Sequence, residues 1–167
     1  MKNIVLIGMP ASGKSTLGVV LAKTLGMDFV DTDLMIQKGQ GKRLQDIILQ
    51  QGLVPFMGIE EDILTGLELE NSIISTGGSA VYSEKAMAHL KEMGRILYLH
   101  VPFEEIQRRL RNITTRGIVM NPGTTLRQLF DERVPLYRRY ADLIIDCAGK
   151  SLEQCVSQII HSFTKNE

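Results

Sequence analysis

The residue pattern with the clearest chemical meaning is G-M-P-A-S-G-K-S at positions 8–15, which matches G-x-x-x-x-G-K-[ST]. Gly8 and Gly13 allow the backbone to wrap closely around a phosphate and to adopt positive φ where the turn requires it. The amino group of Lys14 can then reach the β- and γ-phosphates, and the hydroxyl of Ser15 can ligate Mg²⁺. A glycine-rich turn with a chance lysine is the alternative. The strand pattern before the motif and the helix pattern after it favour a nucleoside triphosphate site.

Two carboxylates at a spacing of two follow the next apolar run, in D-T-D at positions 31–33. One carboxylate of the pair can organise the waters of Mg²⁺, and the other can accept the proton of an attacking hydroxyl group. The alternative is a solvated turn in which Asp33 caps the following helix. Because the pair comes one strand after a phosphate-binding motif, it favours phosphoryl transfer to a hydroxyl acceptor.

Glycine and arginine residues further along the chain extend the candidate site. Gly77 and Gly78 permit backbone amides to approach a ligand closely. Arg116 lies in an irregular stretch, where an arginine can close over a transferred phosphate and stabilise its charge. Arg133 lies near a helix end and can bind a carboxylate through two hydrogen bonds. The plainer alternatives are a simple turn for the glycines, a solvated side chain for Arg116 and an ion pair with a protein acid for Arg133.

Alternating strands and helices position these residues. Short apolar runs predict strands over 3–7, 28–31, 72–75, 95–101 and 143–146. Apolar residues at spacings of three and four predict helices over 14–25, 44–51, 55–70, 83–93, 103–111, 125–140 and 151–163. The pairs Thr125/Gln128 and Ser151/Gln154 have capping-box spacing. This order predicts an α/β domain with a parallel sheet and helices on both faces. Ligands bind such sheets beyond the carboxyl ends of the strands, which here are followed by loops 8–15, 31–33, 76–79 and 146–150.

Length and charge narrow the possible classes of protein. The chain has 167 residues, which favours one domain with a sizeable core. It has 19 basic and 19 acidic side chains, so a nucleic-acid partner bound through bulk charge is not expected. There is neither an apolar run of bilayer-spanning length nor a signal-peptide pattern. Together with two cysteines that form no C-x-x-C pattern, this predicts a cytoplasmic protein that does not bind membranes. The size and the absence of a coiled-coil pattern favour a monomer.

The motifs together resemble the shikimate kinases. The resemblance covers nearly the whole chain, from G-M-P-A-S-G-K-S-T through D-T-D, I-E-E-D, T-G-G and a lid arginine to R-V-P-L-Y-R-R-Y-A-D. It implies a three-layer P-loop fold with sheet order 2-3-1-4-5, as in the nucleoside monophosphate kinases. It also implies ATP and Mg²⁺, and transfer of the γ-phosphate to a hydroxyl of shikimate, giving shikimate 3-phosphate in aromatic amino acid biosynthesis. The whole chain, 1–167, would form one kinase domain, with a mobile lid at about 113–124 and an acceptor-binding region at about 32–60.

The resemblance also implies a role for each motif residue. Lys14, Asp33 and Arg116 are the expected catalytic residues, and Ser15 and Asp31 the expected metal-binding residues, with Asp31 acting through water. The expected nucleotide-binding residues are Gly8, Pro10, Ala11, Ser12, Gly13, Lys14, Ser15, Thr16 and, beside the adenine, Arg109. The expected acceptor-binding residues are Asp33, Met57, Gly77, Gly78, Ser79 and Arg133, with Arg133 on the acceptor carboxylate.

Three positions depart from the family pattern, all on the acceptor side or the lid. Met57 replaces the arginine of F-R-x-x-E, a second carboxylate clamp, and is expected to face the acceptor pocket. Ser79 replaces the third glycine of G-G-G, and Gly117 replaces the proline that follows the lid arginine. Loss of one charge-assisted contact costs about 1.5–3 kcal/mol, so the Met57 change weakens shikimate binding without excluding it.

Three functions therefore remain open. The first is a shikimate-type kinase in which another arginine replaces the missing clamp, with Arg43, Arg138 and Arg139 as candidates. The second is a kinase of the same fold for another small hydroxy acid or hydroxy amino acid. The third is a nucleotide-binding protein without kinase activity, which has no chemical need for the complete set of catalytic residues.

Overall fold

Five short apolar runs form one parallel sheet at the centre of the molecule. The computed structural model of the protein describes residues 2–111 and 117–164. Within these residues the strands are β1 (Asn3–Ile7), β2 (Asp28–Asp31), β3 (Ser72–Ser75), β4 (Gly94–His100) and β5 (Leu143–Asp146). Neighbouring strands run parallel in the order β2-β3-β1-β4-β5, which confirms the order implied by the resemblance. The central strand β1 is buried at all five positions, as expected for a parallel strand covered on both faces.

Helices connect the strands and cover both faces of the sheet. They are α1 (Lys14–Leu25), α2 (Thr32–Gln40), α3 (Leu44–Gln51), α4 (Leu53–Thr65), α5 (Glu84–Met93), α6 (Phe103–Arg111), α7 (Leu126–Tyr140) and α8 (Leu152–Thr164). A 3-10 turn, Ala80–Tyr82, follows β3. The capping boxes predicted at the starts of α7 and α8 are both confirmed by reciprocal hydrogen bonds. Of the described helices, none is long and apolar enough to span a bilayer.

Two helices differ from the sequence prediction. Helix α2 was not predicted, because only Thr32 and Ile36 of its nine residues are buried and its other positions give little apolar periodicity. Helix α4 was predicted to extend to residue 70 but ends at Thr65, and the backbone amide of the C-cap residue Gly66 bonds to carbonyls of the last turn. It also begins two residues before Pro55. Proline is tolerated there, because an amide in the first helical turn has no intrahelical acceptor.

The buried apolar residues fall into two clusters. The larger cluster joins the sheet to the helices on its faces. The smaller one consists of Ile36, Ile47, Phe56 and Val119, contributed by α2, α3, α4 and the segment after residue 116. This second cluster packs α2, α3 and α4 against one another.

Candidate active site

The main cavity lies at the carboxyl ends of β1, β2 and β3 and has a volume of about 670 Å³. Three of the four predicted loops, 8–15, 31–33 and 76–79, contribute to its lining. Among the described residues that line it, none comes from loop 146–150. Its lining comprises Pro10, Ala11, Gly13, Lys14, Ser15, Thr16, Asp31, Asp33, Leu34, Gln37, Arg43, Leu44, Phe56, Thr76, Gly77, Gly78, Ser79, Gly117, Val119 and Arg133. Twelve of these positions were predicted as site residues from the sequence.

The loop that joins β1 to α1 has the geometry that its glycines predict. Gly8 has φ +149° and Gly13 has φ +92°, and a Cβ on Gly8 would lie 2.9 Å from the carbonyl oxygen of Leu99. Helix α1 begins at Lys14, so its first free amides face the end of the loop. The amino group of Lys14 donates to the carbonyl oxygens of Gly8 at 2.8 Å and Met9 at 2.9 Å. Loop amides, helix terminus and ammonium group thus gather at one place, an arrangement suited to binding phosphate.

Ser15 and Asp31 place a hydroxyl and a carboxylate in contact beside this loop. The Ser15 hydroxyl donates to Asp31 Oδ2 at 2.6 Å. The other oxygen of Asp31 accepts from the backbone amides of Asp33 and Leu34 and so caps α2. Hard oxygen ligands of this kind suit Mg²⁺, which usually keeps several waters and binds few protein groups. The two residues therefore meet the requirements of the metal site that the sequence predicted for them.

Asp33 lies in the first turn of α2 and lines the main cavity. Its carboxylate and that of Glu60 both approach Gly77. A Cβ at Gly77 would lie 2.8 Å from Asp33 Oδ1 and 2.5 Å from Glu60 Oε1. Only glycine fits at this position, because a larger residue would collide with the two carboxylates. The T-G-G motif thus serves to accommodate Asp33 and Glu60 as well as to give a ligand access to the backbone amides.

Glu60 is a buried acid that the sequence prediction did not include among the site residues. It is 3% exposed, and its Oε2 accepts a hydrogen bond of 2.6 Å from the Ser79 hydroxyl. Its Oε1 is buried and has no hydrogen-bond partner among the described residues. Burial raises the pKa of Glu60 from 4.5 to about 7, against the lowering effect of the Ser79 hydrogen bond, and the negative charge of Asp33 adds to the rise. The sequence contained one signal that Glu60 is buried. It is an acid on the apolar face of α4, four residues from both Phe56 and Leu64.

Arg133 is a buried cation in the wall of the cavity. It is 1% exposed, its Nη2 donates to the carbonyl oxygen of Val119, and its Nε donates to the Tyr82 hydroxyl at 3.2 Å. Its guanidinium also lies over the Tyr82 ring, 5.2 Å from the centroid. Of the described acids, none forms an ion pair with it, and the preceding Glu132 instead accepts from Tyr82. The ion-pair alternative is therefore not seen, and a buried cation without a protein counter-ion is suited to binding an anionic ligand.

Gly78 lies between this cation and the phosphate loop. A Cβ on Gly78 would be 2.9 Å from Arg133 Nη1 and 2.8 Å from Pro10 Cδ. The carbonyl oxygen of Gly78 accepts a 2.7 Å hydrogen bond from the Tyr137 hydroxyl, which fixes this part of the backbone. A side chain at Gly78 would therefore push the cation away from the loop.

Four of the described residues that the sequence predicts for the site are not among those that line the main cavity, namely Gly8, Ser12, Met57 and Arg109. Gly8 and Ser12 belong to the phosphate loop, and the Ser12 hydroxyl accepts a hydrogen bond of 3.4 Å from the Lys14 ammonium. Arg109 donates to the carbonyl oxygen of Ala11 at 3.0 Å and pairs with Glu105 at 2.5 Å, which places it against the outer side of the loop. Arg116 lies outside the described residues.

Met57, which the sequence predicts to face the acceptor pocket, is not among the residues that line the main cavity, and its contact with the acceptor stays a prediction. Met57 lines a second, smaller cavity of about 160 Å³, together with Glu60, Glu61, Ser79 and Tyr82. Phe56, one residue earlier on α4, lines the main cavity instead. The physical reason is helical rotation, because neighbouring residues on an α-helix point about 100° apart.

Comparison with known proteins identifies the family to which this chain belongs. The sequence profile of the family described as shikimate kinase matches residues 10–164. A shikimate kinase of Thermodesulfovibrio yellowstonii is 36% identical over 99% of this chain and 96% of its own length. The structure of a shikimate kinase from Acinetobacter baumannii in complex with shikimate superposes with a TM-score of 0.91, at 28% identity, covering all of this chain and 95% of that one. The shikimate kinase of Aquifex aeolicus gives a TM-score of 0.84 at 33% identity, over 98% of this chain and 97% of that one.

Proposed function

This chain belongs to the shikimate kinase family, and on that premise we propose that it transfers the γ-phosphate of ATP to a hydroxyl group of shikimate. The observation that carries the proposal is that one cavity contains both the phosphate loop and Arg133, a buried arginine that forms no ion pair with any of the described acids. The loop suits the nucleotide, and Arg133 suits the carboxylate of the acceptor. Asp33 lines the same cavity.

At the nucleotide end, we propose that the amides of the loop and the ammonium of Lys14 bind the phosphates of ATP. The Lys14 ammonium now bonds to loop carbonyls, so it can turn towards a phosphate without leaving the loop. Ser15 and Asp31 would hold Mg²⁺, which when bound neutralises charge on the phosphates. Arg109, against the outer side of the loop at Ala11, is proposed to flank the adenine.

At the acceptor end, we propose that Arg133 binds the carboxylate and orients the acceptor hydroxyl towards the γ-phosphate. The backbone at Gly77 and Gly78 would line the acceptor pocket between Asp33 and Arg133. Asp33 then accepts the hydroxyl proton as the oxygen attacks phosphorus and the bond from the γ-phosphorus to the bridging oxygen of ADP breaks. Arg116 keeps its proposed role of stabilising the transferred phosphoryl group.

We propose further that two separate regions of the domain bind the acceptor and close over the site. Helices α2 and α3 with the start of α4, within about 32–60, would form the acceptor-binding region, supported by their own hydrophobic cluster with Val119. The segment at about 113–124 would act as a lid, supported at its described end by close packing of Gly117 against the start of α3. The monomeric state and the cytoplasmic location stay predictions.

A direct assay tests the proposed reaction. Purified protein is given ATP and Mg²⁺ with shikimate or with a panel of hydroxy acids and hydroxy amino acids, and ADP release is followed. Saturable turnover of shikimate at sub-millimolar concentration is expected. Turnover of a different acceptor alone would support the second kinase function, and slow ATP hydrolysis unaffected by any acceptor would support a nucleotide-binding protein without kinase activity.

A further inference from the structure

Arg43 lies at a position from which it can reach a ligand in the main cavity. It is the N-cap residue of α3, with an extended backbone at φ −71° and ψ 151°. It is exposed to solvent and contributes to the cavity lining beside Leu44 and Gln37. The neighbouring backbone is fixed, because the Leu44 amide donates to Gln37 Oε1 at 3.2 Å. The start of α3 therefore presents a cation to the cavity from a well-anchored position.

The guanidinium of Arg43 forms no hydrogen bond or ion pair with the described part of the chain, in contrast to the cations around it. Lys42, one residue earlier, donates to Gln50 Oε1 at 2.7 Å. Arg139, a second candidate for the missing clamp, pairs with Glu84 and lies over the Tyr140 ring. Neither Arg138 nor Arg139 is among the described residues that line the cavity. Arg43 is thus the candidate that both faces the cavity and has its donors available.

Arg133 leaves room for a second cation at the acceptor end. A guanidinium usually binds a carboxylate through two parallel N–H groups on one edge. The edge formed by Nε and Nη2 is occupied, since Nε donates to the Tyr82 hydroxyl and Nη2 to the carbonyl of Val119. Its Nη1 lies near Gly78, and the Tyr137 hydroxyl also interacts with this guanidinium, so Arg133 has few free donors for a ligand. A carboxylate bound to Arg133 would therefore keep oxygen lone pairs that Arg133 is poorly placed to bind. A second cation could donate hydrogen bonds to them.

We propose that Arg43 is a second acceptor-binding residue, which donates hydrogen bonds to the carboxylate of the hydroxy acid from the start of α3. The inference rests on the proposed function and specifies how the acceptor is recognised. It gives the contact with the carboxylate to Arg43 in place of position 57, which lies in the second cavity. Of the described cations that line the main cavity, Lys14 is bound at the phosphate loop, so Arg43 and Arg133 are the two at the acceptor end.

The test compares Arg43→Gln with Lys42→Gln. Each substitution removes one positive charge from adjacent exposed positions, but only Arg43 lines the cavity. Steady-state rates are measured with shikimate varied at saturating ATP and with ATP varied at saturating shikimate. Arg43→Gln is expected to raise the KM for shikimate about 10-fold, the effect of one lost charge-assisted hydrogen bond, with the KM for ATP changed less than about 2-fold. Lys42→Gln is expected to change neither constant.

A modified acceptor identifies the group that Arg43 contacts. With the amide of shikimate in place of the acid, the wild-type protein and Arg43→Gln should have nearly equal KM values, because the charge that Arg43 recognises is gone. Arg43→Lys, which keeps the charge but not the planar fork, should give an intermediate KM with the acid and provides a second variant if the glutamine variant folds poorly. The melting temperature of each variant checks folding.

Three results would overturn the inference. They are an unchanged shikimate KM in Arg43→Gln, a rise in the KM for ATP in place of that for shikimate, and an equal loss with acid and amide. The second of these would assign Arg43 to the nucleotide. If the wild-type protein does not phosphorylate shikimate at all, the proposed function and this inference fail together, whereas turnover that is indifferent to Arg43 removes only the inference.

Discussion

The hydroxyl of Ser79 donates a 2.6 Å hydrogen bond to Glu60, and both residues are buried. The family pattern has glycine at position 79 and arginine at position 57. In this chain the serine supplies a hydrogen bond to Glu60, and Met57 lies nearby in the second cavity. The changes at the two positions are therefore physically related, since both determine what surrounds the carboxylate of Glu60.

Ser79→Ala should reduce the free energy of unfolding by about 1–3 kcal/mol, because it leaves both oxygens of the buried Glu60 carboxylate without a donor among the described residues. The measurement is urea unfolding at pH 8. Ser157→Ala, at an exposed position on α8, provides the control and should change stability by less than about 0.5 kcal/mol. Equal stabilities of Ser79→Ala and wild type would mean that the hydrogen bond contributes nothing net.

Glu60→Gln should change how stability depends on pH. The pKa of Glu60 is raised from 4.5 to about 7 in the folded protein, mainly by burial, so the folded state binds more protons than the unfolded state between these values. This contribution is complete below about pH 4.5 and is lost as the pH rises towards and past 7, by about 3 kcal/mol in all. The unfolding free energy of Glu60→Gln relative to wild type should therefore increase between pH 5 and pH 8. The exposed Glu68→Gln controls for loss of a surface carboxylate, and parallel curves for Glu60→Gln and wild type would contradict the prediction.

Met57→Arg should lower the pKa of Glu60, because both residues line the second cavity and a guanidinium there favours the ionised carboxylate. The measurement is the pH dependence of unfolding, in which the destabilisation on going from pH 5 to pH 8 should become smaller. Met57→Gln, of similar length and without charge, is the matched control. A pH dependence that matches wild type in Met57→Arg would show that the new guanidinium does not reach Glu60.

Gly77→Ala should disturb Asp33, since the added Cβ would lie 2.8 Å from Asp33 Oδ1 and 2.5 Å from Glu60 Oε1. Displacement of a catalytic group by about 1 Å can cost about 100-fold in rate. We expect kcat to fall about 10- to 100-fold while the KM for ATP stays within about 2-fold. Gly39→Ala on α2, where a Cβ meets nothing within 4 Å, should leave kcat unchanged. A fully active Gly77→Ala would mean that the two acids move aside without consequence.

Asp33→Asn should abolish transfer while sparing nucleotide binding. An amide cannot accept the proton of the acceptor hydroxyl, and loss of a general base typically costs about 10²- to 10⁴-fold in rate. Initial rates give the loss of kcat, and calorimetric titration with ATP shows whether the nucleotide still binds. Asp62→Asn, at an exposed position on α4, serves as the control. Near-normal turnover in Asp33→Asn would remove Asp33 from its proposed role.

Most of the fold was predictable because its elements have strong periodicity. The buried strands are short continuous apolar runs, and the capping boxes that start α7 and α8 involve residues only three apart. Helix α2 was missed because it buries little and is held at its start by the Asp31 side chain, a contact that follows from its place at the end of β2. When a helix is stabilised mainly by a capping contact and not by burial of an apolar face, its sequence has no clear apolar periodicity from which to predict it.

The site was predictable to the extent that it is local in sequence. The phosphate loop is one continuous motif, and its geometry follows from two glycines and a helix terminus. The acceptor end is assembled from α2, α3, α4, the turn after β3 and α7, so its contacts depend on tertiary packing. The sequence could not assign Met57 to the second cavity, because the orientation of α4 about its axis cannot be read from a motif. Glu60 was not included among the site residues because its partner, Ser79, is 19 residues away.

The continuity of the main cavity from the phosphate loop to Arg133 has a consequence for inhibitor design. A single compound with a polyphosphate group at one end and a carboxylate at the other can occupy both ends without crossing a protein wall. Joining the two groups makes the second contact intramolecular, which raises affinity when the linker matches the span between the sites. The linker length that gives the highest affinity in a series of such compounds would thus report the distance between the bound phosphates and the bound carboxylate.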